Sequence, residues 1–176
     1  MRKIILDTNV PVKASVLPES CCVNELVMQK KCMEYINDLV NSKDSKIVLD
    51  MDFEILNEYR NNVSAKSNMG KIFFRWLYNY YSHIQPEDNI KLVKDECGKY
   101  LKFPYDKDTK SFDESDKKFI ALANAHREKT PIVEAADGKW LGYEDAFAKY
   151  GITIEFIDRD YAQKIYEQKI LNKGLK

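Results

Sequence analysis

The chain predicts an α/β fold with a central, mainly parallel sheet. Short apolar runs alternate with stretches of helical periodicity from one end to the other, the pattern of successive strand–helix units. The first run, Lys3-Ile4-Ile5-Leu6, stops abruptly at Asp7-Thr8-Asn9, and later runs repeat that form by ending at Asp50 and Asp137. At 176 residues the chain has the size of one domain and can bury a core without covalent staples.

Each element has its own signal. After the first strand, a loop containing Pro11 and Pro18 leads to Ser20, which can cap a helix running to about Val40. Val23, Leu26, Val27, Met33, Ile36 and Val40 keep three- and four-residue spacing there, apart from a gap at Lys30. The polar residues 41–45 form a turn cluster. Lys46-Ile47-Val48-Leu49-Asp50 is the second strand, and a helix over about 52–62 follows, with Glu54 and Glu58 four apart on one face. Residues 68–84 predict a helix whose Ile72, Phe73, Trp76, Leu77, Tyr80, Tyr81 and Ile84 form a broad apolar stripe. At that spacing the aromatics suit a core or a dimer face better than base stacking.

Ile90-Lys91-Leu92-Val93 reads as a short strand. Residues 95–112 lose periodicity, and their lysines with Tyr100, Phe103 and Tyr105 suit either a substrate rim or a solvated excursion. A helix over 113–125 opens with acidic residues and continues with small residues that allow close packing on a sheet. A strand over 130–137, a helix over 143–150 stopped by Gly151, a last strand over 152–157 and a terminal helix over 158–172 complete the order.

Composition narrows the function classes. Hydrophobic content is 44% and charged content 32%, as in an ordered globule. No apolar run approaches the roughly 20 residues of a membrane span, and the N-terminus enters a charged strand start rather than a secretory signal. A cytoplasmic location is expected. The four cysteines lack CxxC spacing, and His83 and His126 are not near them in sequence, which disfavours zinc. Lys and Arg number 28, as do Asp and Glu, so the chain has none of the basic excess of a long nucleic-acid-binding surface. A small acidic site with a local basic rim is compatible with that balance, because bound cations absorb the carboxylates' charge.

Such a site is foreseeable. In an open parallel sheet, ligands bind off the carboxyl ends of the strands, where Asp7 and Asp137 are expected. Asp116 lies in the first turn of a helix entering from that edge, and Glu58 can reach across from the helix after the second strand. Crowded carboxylates repel and raise one another's pKa. Hard divalent cations relieve this, and Mg²⁺ or Mn²⁺ takes oxygen ligands while keeping waters for chemistry. One or two such ions would activate water against a phosphodiester, and Asn9 would orient Asp7 or a bound water. Each residue also has an ordinary explanation: Asp50 and Asp113 suit helix caps, Asp116 suits a helix N-terminus, and Glu58 alone suits a solvated helix face. Their order along the chain is what raises the set above its members.

In that order the chain resembles the PIN-domain family. The resemblance rests on Asp7-Thr8-Asn9 after the first strand, Glu58 in Ile55-Leu56-Asn57-Glu58-Tyr59, Asp116 in Asp116-Lys117-Lys118-Phe119-Ile120-Ala121-Leu122-Ala123, and Asp137 in Ala136-Asp137-Gly138-Lys139-Trp140. It implies a three-layer α/β/α nuclease domain over residues 1–157, with residues 158–176 a helical extension of the same domain. It implies catalytic and metal-ligating roles for Asp7, Glu58, Asp116 and Asp137, with Asn9 assisting, and a Mg²⁺- or Mn²⁺-dependent endonuclease acting on RNA. Members of the family include toxins of toxin–antitoxin pairs, so an antitoxin or another protein partner is expected. Many members carry Thr or Ser before the fourth acidic position, where this chain has Glu134-Ala135-Ala136. The long aromatic helix and the terminal helix exceed compact relatives, and that added surface is expected to serve a homo-oligomer or a partner. A DNA-directed nuclease with the same site, and a catalytically degenerate interaction module, stand as the alternatives.

Overall fold

The computed structural model describes residues 2–16 and 23–174, with side chains at 2–16 and 25–168. The expected Ser20 cap, Pro18, Cys21 and Cys22 lie outside the described residues. The fold is α/β, with a central parallel sheet in a three-layer α/β/α arrangement. Its strands are β1 (Arg2–Leu6), β2 (Ser45–Ile47), β5 (Ile132–Glu134) and β6 (Ile154–Phe156), in the spatial order β2-β1-β5-β6. A separate parallel pair joins β3 (Leu49–Asp50) to β4 (Asn89–Ile90).

The strand order places a topological switch beside β1. The chain leaves β1 for β2 on one side and returns to β5 on the other, so the carboxyl ends of β1 and β5 border the crevice where such sheets bind ligands. The register Ile5↔Ile132 and Leu6↔Val133 continues through the Asp7 N–H, which donates to the Val133 carbonyl at 2.9 Å. Asp7 therefore leaves β1 alongside Glu134. Ile4, Ile5, Leu6, Ile132 and Val133 are all buried, as the inner strands of a covered parallel sheet must be.

Several elements differ from the sequence expectation, each for a physical reason. In place of the Pro11 loop, α1 (Asn9–Ser15) starts two residues after Asp7. Pro11 sits in its first turn, where a helix has no intrahelical use for N–H groups. The segment 45–50 is extended throughout but changes partner: Val48 still donates to the Ile4 carbonyl at 2.8 Å, and Leu49 then pairs toward Asn89. The strand expected over 90–93 is only Asn89–Ile90. The expected 143–150 helix is preceded by the short α6 (Gly138–Leu141) and shrinks to α7 (Glu144–Ala148), with Gly151 at φ 72° ending it.

The helices supply the rest of the core. They are α2 (Val23–Asn41), α3 (Glu54–Asn62), α4 (Asn68–Tyr81), α5 (Lys117–Ala125) and α8 (Arg159–Gly174). Ser67 caps α4, its hydroxyl accepting from the Gly70 N–H at 2.9 Å. The aromatic stripe of α4 faces inward: Phe73 and Leu77 are buried, Phe73 meets Tyr59 edge-on, and the Tyr80 hydroxyl donates to the Ile47 carbonyl. Cys32 is a core residue of α2, its thiol pushed up to about 12 by burial. The irregular stretch 95–112 is largely exposed but anchored in the core. Phe103 and Phe112 are buried in an aromatic cluster with Trp140, Tyr143 and Phe147, and Tyr100 is buried too. Among the described residues, no helix is long and apolar enough to cross a membrane.

Candidate metal centre

The site begins where β1 ends. Asp7 is 1% exposed, and its Oδ1 accepts the Asn9 N–H at 2.8 Å, closing a tight turn into α1. The Tyr59 hydroxyl of α3 donates to the Leu6 carbonyl, fastening that helix to the same strand end. The start of α3 is fixed by Asp50, whose carboxylate accepts from the N–H groups of Glu54 (2.7 Å) and Ile55 (2.9 Å) after Phe53 turns the chain in a left-handed conformation. This orientation brings Glu58, one turn further on, toward Asp7. Asp116 is the N-cap residue of α5, following a 3-10 turn over Glu114–Asp116. Asp113 caps that turn by accepting from the Ser115 N–H at 3.0 Å.

All five residues singled out in the sequence line one cleft of about 500 Å³: Asp7, Asn9, Glu58, Asp116 and Asp137, with Thr8, Ser115 and Lys139 among its other walls. Two details depart from expectation. The strand before Asp137 ends earlier, at Glu134, and Asp137 instead caps α6, its Oδ1 accepting the Lys139 N–H at 3.1 Å. And the Asn9 side chain serves Glu134 rather than Asp7, its Nδ2 donating to Glu134 Oε1 at 3.2 Å. The carboxylate at the end of β5 is thus Glu134, fully buried beside Asp7, with its other oxygen accepting the Asp137 N–H at 2.7 Å.

Three charged groups were not foreseen. Glu134 lay in a stretch notable only for lacking Thr or Ser, and its place follows from register with β1. Lys118 forms an ion pair with Glu58. Lys139 reaches Asp116 at 2.8 Å, Asp113 at 3.0 Å and Asp137 at 3.4 Å. A lysine two residues after each of the acidic positions Asp116 and Asp137 was the available signal, but sequence does not say which way it turns.

The electrostatics record the crowding. Burial, then the charges of Glu134 and Asp116, push the Asp7 carboxyl well above the usual carboxylate range. Burial also pushes Glu134 up to about 7, against the opposing hydrogen bonds from Asp137 and Asn9. Burial raises Asp116, while Lys139 pulls it back. The Lys139 ammonium, partly buried, is nevertheless held above its ordinary value by Asp116 and Asp113.

The donor chemistry of the described residues fits a hard divalent cation: carboxylate and amide oxygens, no thiol or imidazole among them lining the cleft, and a buried Thr8 hydroxyl with no hydrogen-bond partner among them in its wall. The geometry is not that of a finished metal cage. Among the described residues no three Asp, Glu, His or Cys side chains are arranged as a ready ligand group, and an ammonium already stands among the aspartates. Comparison of the chain with family models, with curated proteins and with solved structures finds no match.

Proposed function

We propose that the chain is a Mg²⁺- or Mn²⁺-dependent nuclease that hydrolyses phosphodiester bonds, with RNA as its substrate. The observation that carries this reading is the placement of Asp7: a carboxylate with no ion pair among the described residues, buried at the switch point beside Glu134, on the floor of a cleft rimmed by Asp116, Asp137 and Glu58. Burying unpaired acidic groups together is costly, and a cation removes that cost.

In this reading Asp7, Asp116 and Asp137 hold the ion, and Glu58 approaches it from α3. A bound Mg²⁺ or Mn²⁺ would supply charge neutralisation at the phosphodiester and promote ionisation of the attacking water. The chain's own residues do the rest. Asn9 and the Asp137 N–H fix Glu134 beside Asp7. Asp50 and Tyr59 hold α3 so that Glu58 faces the cleft. Lys118, itself buried, pairs with Glu58 and neutralises it.

One observation favours the interaction-module alternative: Lys139 in the cleft and Lys118 beside Glu58 are already paired with carboxylates, so the site holds cations of its own. The two readings separate in a cleavage assay on single-stranded RNA, structured RNA and DNA with Mn²⁺. The nuclease reading expects degradation of RNA that EDTA abolishes and that Asp7→Asn or Asp116→Asn lowers by about a hundredfold or more, the scale on which loss of a charge-stabilising group acts. Degradation of DNA alone would move the assignment to a DNA-directed enzyme. No cleavage by folded protein would favour the interaction module.

A further inference from the structure

We propose that Lys139 is a resident cation of the cleft, which holds the aspartate rim together and is displaced when a divalent ion binds. The inference rests on the metal-centre reading above and adds a regulatory element to it: metal affinity is set by competition with a side chain of the same protein.

The geometry is specific to this lysine. Its Nζ is within 3.4 Å of carboxylate oxygens from three residues, Asp113 and Asp116 at the entry to α5 and Asp137 at the entry to α6. An ammonium carries three N–H donors, so one group can serve three acceptors. Two of those acceptors, Asp116 and Asp137, line the cleft with Asp7, and neither Lys139 nor Lys118 pairs with Asp7. The rim carboxylates Asp116 and Asp137 are therefore paired with a cation, and the floor carboxyl of Asp7 is paired with neither lysine. A divalent ion drawn to Asp7 competes for the oxygens that Lys139 holds.

The backbone beneath Lys139 cannot easily drift. At Gly138 a Cβ would lie 2.7 Å from the Tyr166 backbone nitrogen and 2.9 Å from the Ala162 carbonyl oxygen, so α6 meets α8 backbone to backbone. Trp140, on the other side, is fully buried. The side chain is about one-third exposed, which leaves it a path outward into solvent. A fixed anchor with a free outer end is what a displaceable counter-ion requires.

The test is Mn²⁺ binding by calorimetry to the wild type and Lys139→Met at equal ionic strength, with thermal melts in EDTA and in Mn²⁺. Lys139→Met is expected to bind Mn²⁺ about tenfold more tightly, the order of one partly screened ion pair. Its melting temperature should fall in EDTA and recover in Mn²⁺, which loss of an ordinary structural ion pair would not do. Equal or weaker binding by the variant, with Mn²⁺ still bound by the wild type, overturns the inference and leaves the metal centre standing. Absence of binding to both proteins overturns both. A second measurement needs no variant: the rate of Lys139 acetylation in the wild type, read by mass spectrometry, should rise severalfold with Mn²⁺. Lys149, paired with Asp108 elsewhere, should not change. A Lys139 rate unchanged or slowed at saturating Mn²⁺ contradicts displacement.

Discussion

Asp7 and Glu134 show what a single carboxyl costs when its neighbour is another. Both are buried and both are held above their ordinary values, Glu134 at about 7. A carboxyl raised in the folded state binds its proton more tightly folded than unfolded, so its favourable contribution is complete below the unfolded value of 4.5 and is lost as pH rises toward 7. For Glu134 the loss is on the order of 3 kcal/mol across that window. The metal-free protein, melted in EDTA, should therefore be more stable at about pH 5 than at about pH 7.5 as far as this pair decides the matter. Mn²⁺ should flatten the dependence at the upper end. A melting temperature that rises steadily across the window in EDTA would contradict the pair's assignment.

At this scale the sequence exposed one half of the site and hid the other. Asp7, Asn9, Glu58, Asp116 and Asp137 were visible because their types recur at fixed places relative to apolar runs, and all five line the cleft. Glu134 was hidden because a strand's last residue is set by its partner's register, and Val133-Glu134-Ala135-Ala136-Asp137 offers two acidic candidates for that end. Lys118 and Lys139 were hidden because a long flexible side chain can turn toward solvent or inward, and only the surrounding carboxylates decide.

Among elements, the short helix α6 has the largest effect for its length. Its N-cap is Asp137, its second residue is Lys139, and it stands on α8 through Gly138. The terminal helix is thus part of what positions the cleft, although its own residues are remote from the acidic motifs in sequence. Gly138→Ala places a methyl against backbone atoms that cannot rotate away. It should cost about 1–3 kcal/mol, as overpacking does. It should also weaken Mn²⁺ binding by shifting Asp137, which a calorimetric titration would detect. Unchanged stability and affinity would mean that α6 is not held in this way. The 95–112 stretch was harder to read, since no period marks an irregular segment whose Phe103 and Phe112 are nonetheless core residues. Nor did Pro11 announce a helix, because proline marks loops and first helical turns alike.

Across the whole molecule, charge is treated differently at the two ends of the sheet. At the amino end Asp88 is fully buried but answered: Lys3 lies at 2.8 Å, Lys46 at 3.8 Å and the His126 imidazole at 3.6 Å, and Thr130 in turn meets that ring at 2.7 Å. At the carboxyl end the floor carboxylate Asp7 has no such answer. The amino end answers its buried charge within the protein; on the proposed reading the carboxyl end leaves its own for a cation. Asp88→Asn should therefore destabilise the fold by about 3 kcal/mol, since it removes the buried charge that Lys3 and Lys46 share. Mn²⁺ affinity measured below the melting point should stay unchanged. Loss of metal binding in a still-folded Asp88→Asn protein would show that the two ends are not independent. The parallel sheet and its strand–helix alternation were legible from periodicity alone. The strand order, which decides that β1 borders the crevice, came only with the pairing of β5 to its far side.

The most direct measurement is the thermal shift produced by Mn²⁺ on the wild type and on Asp7→Asn, each compared with its own melt in EDTA. Asparagine keeps the acceptor for the Asn9 N–H and removes the buried charge. With a cation site built on Asp7, Asp7→Asn should melt higher than the wild type in EDTA, and Mn²⁺ should raise the wild type by several degrees while leaving the variant nearly unmoved. A wild type indifferent to Mn²⁺, with an Asp7→Asn protein that melts lower in EDTA, would contradict a cation site built on Asp7.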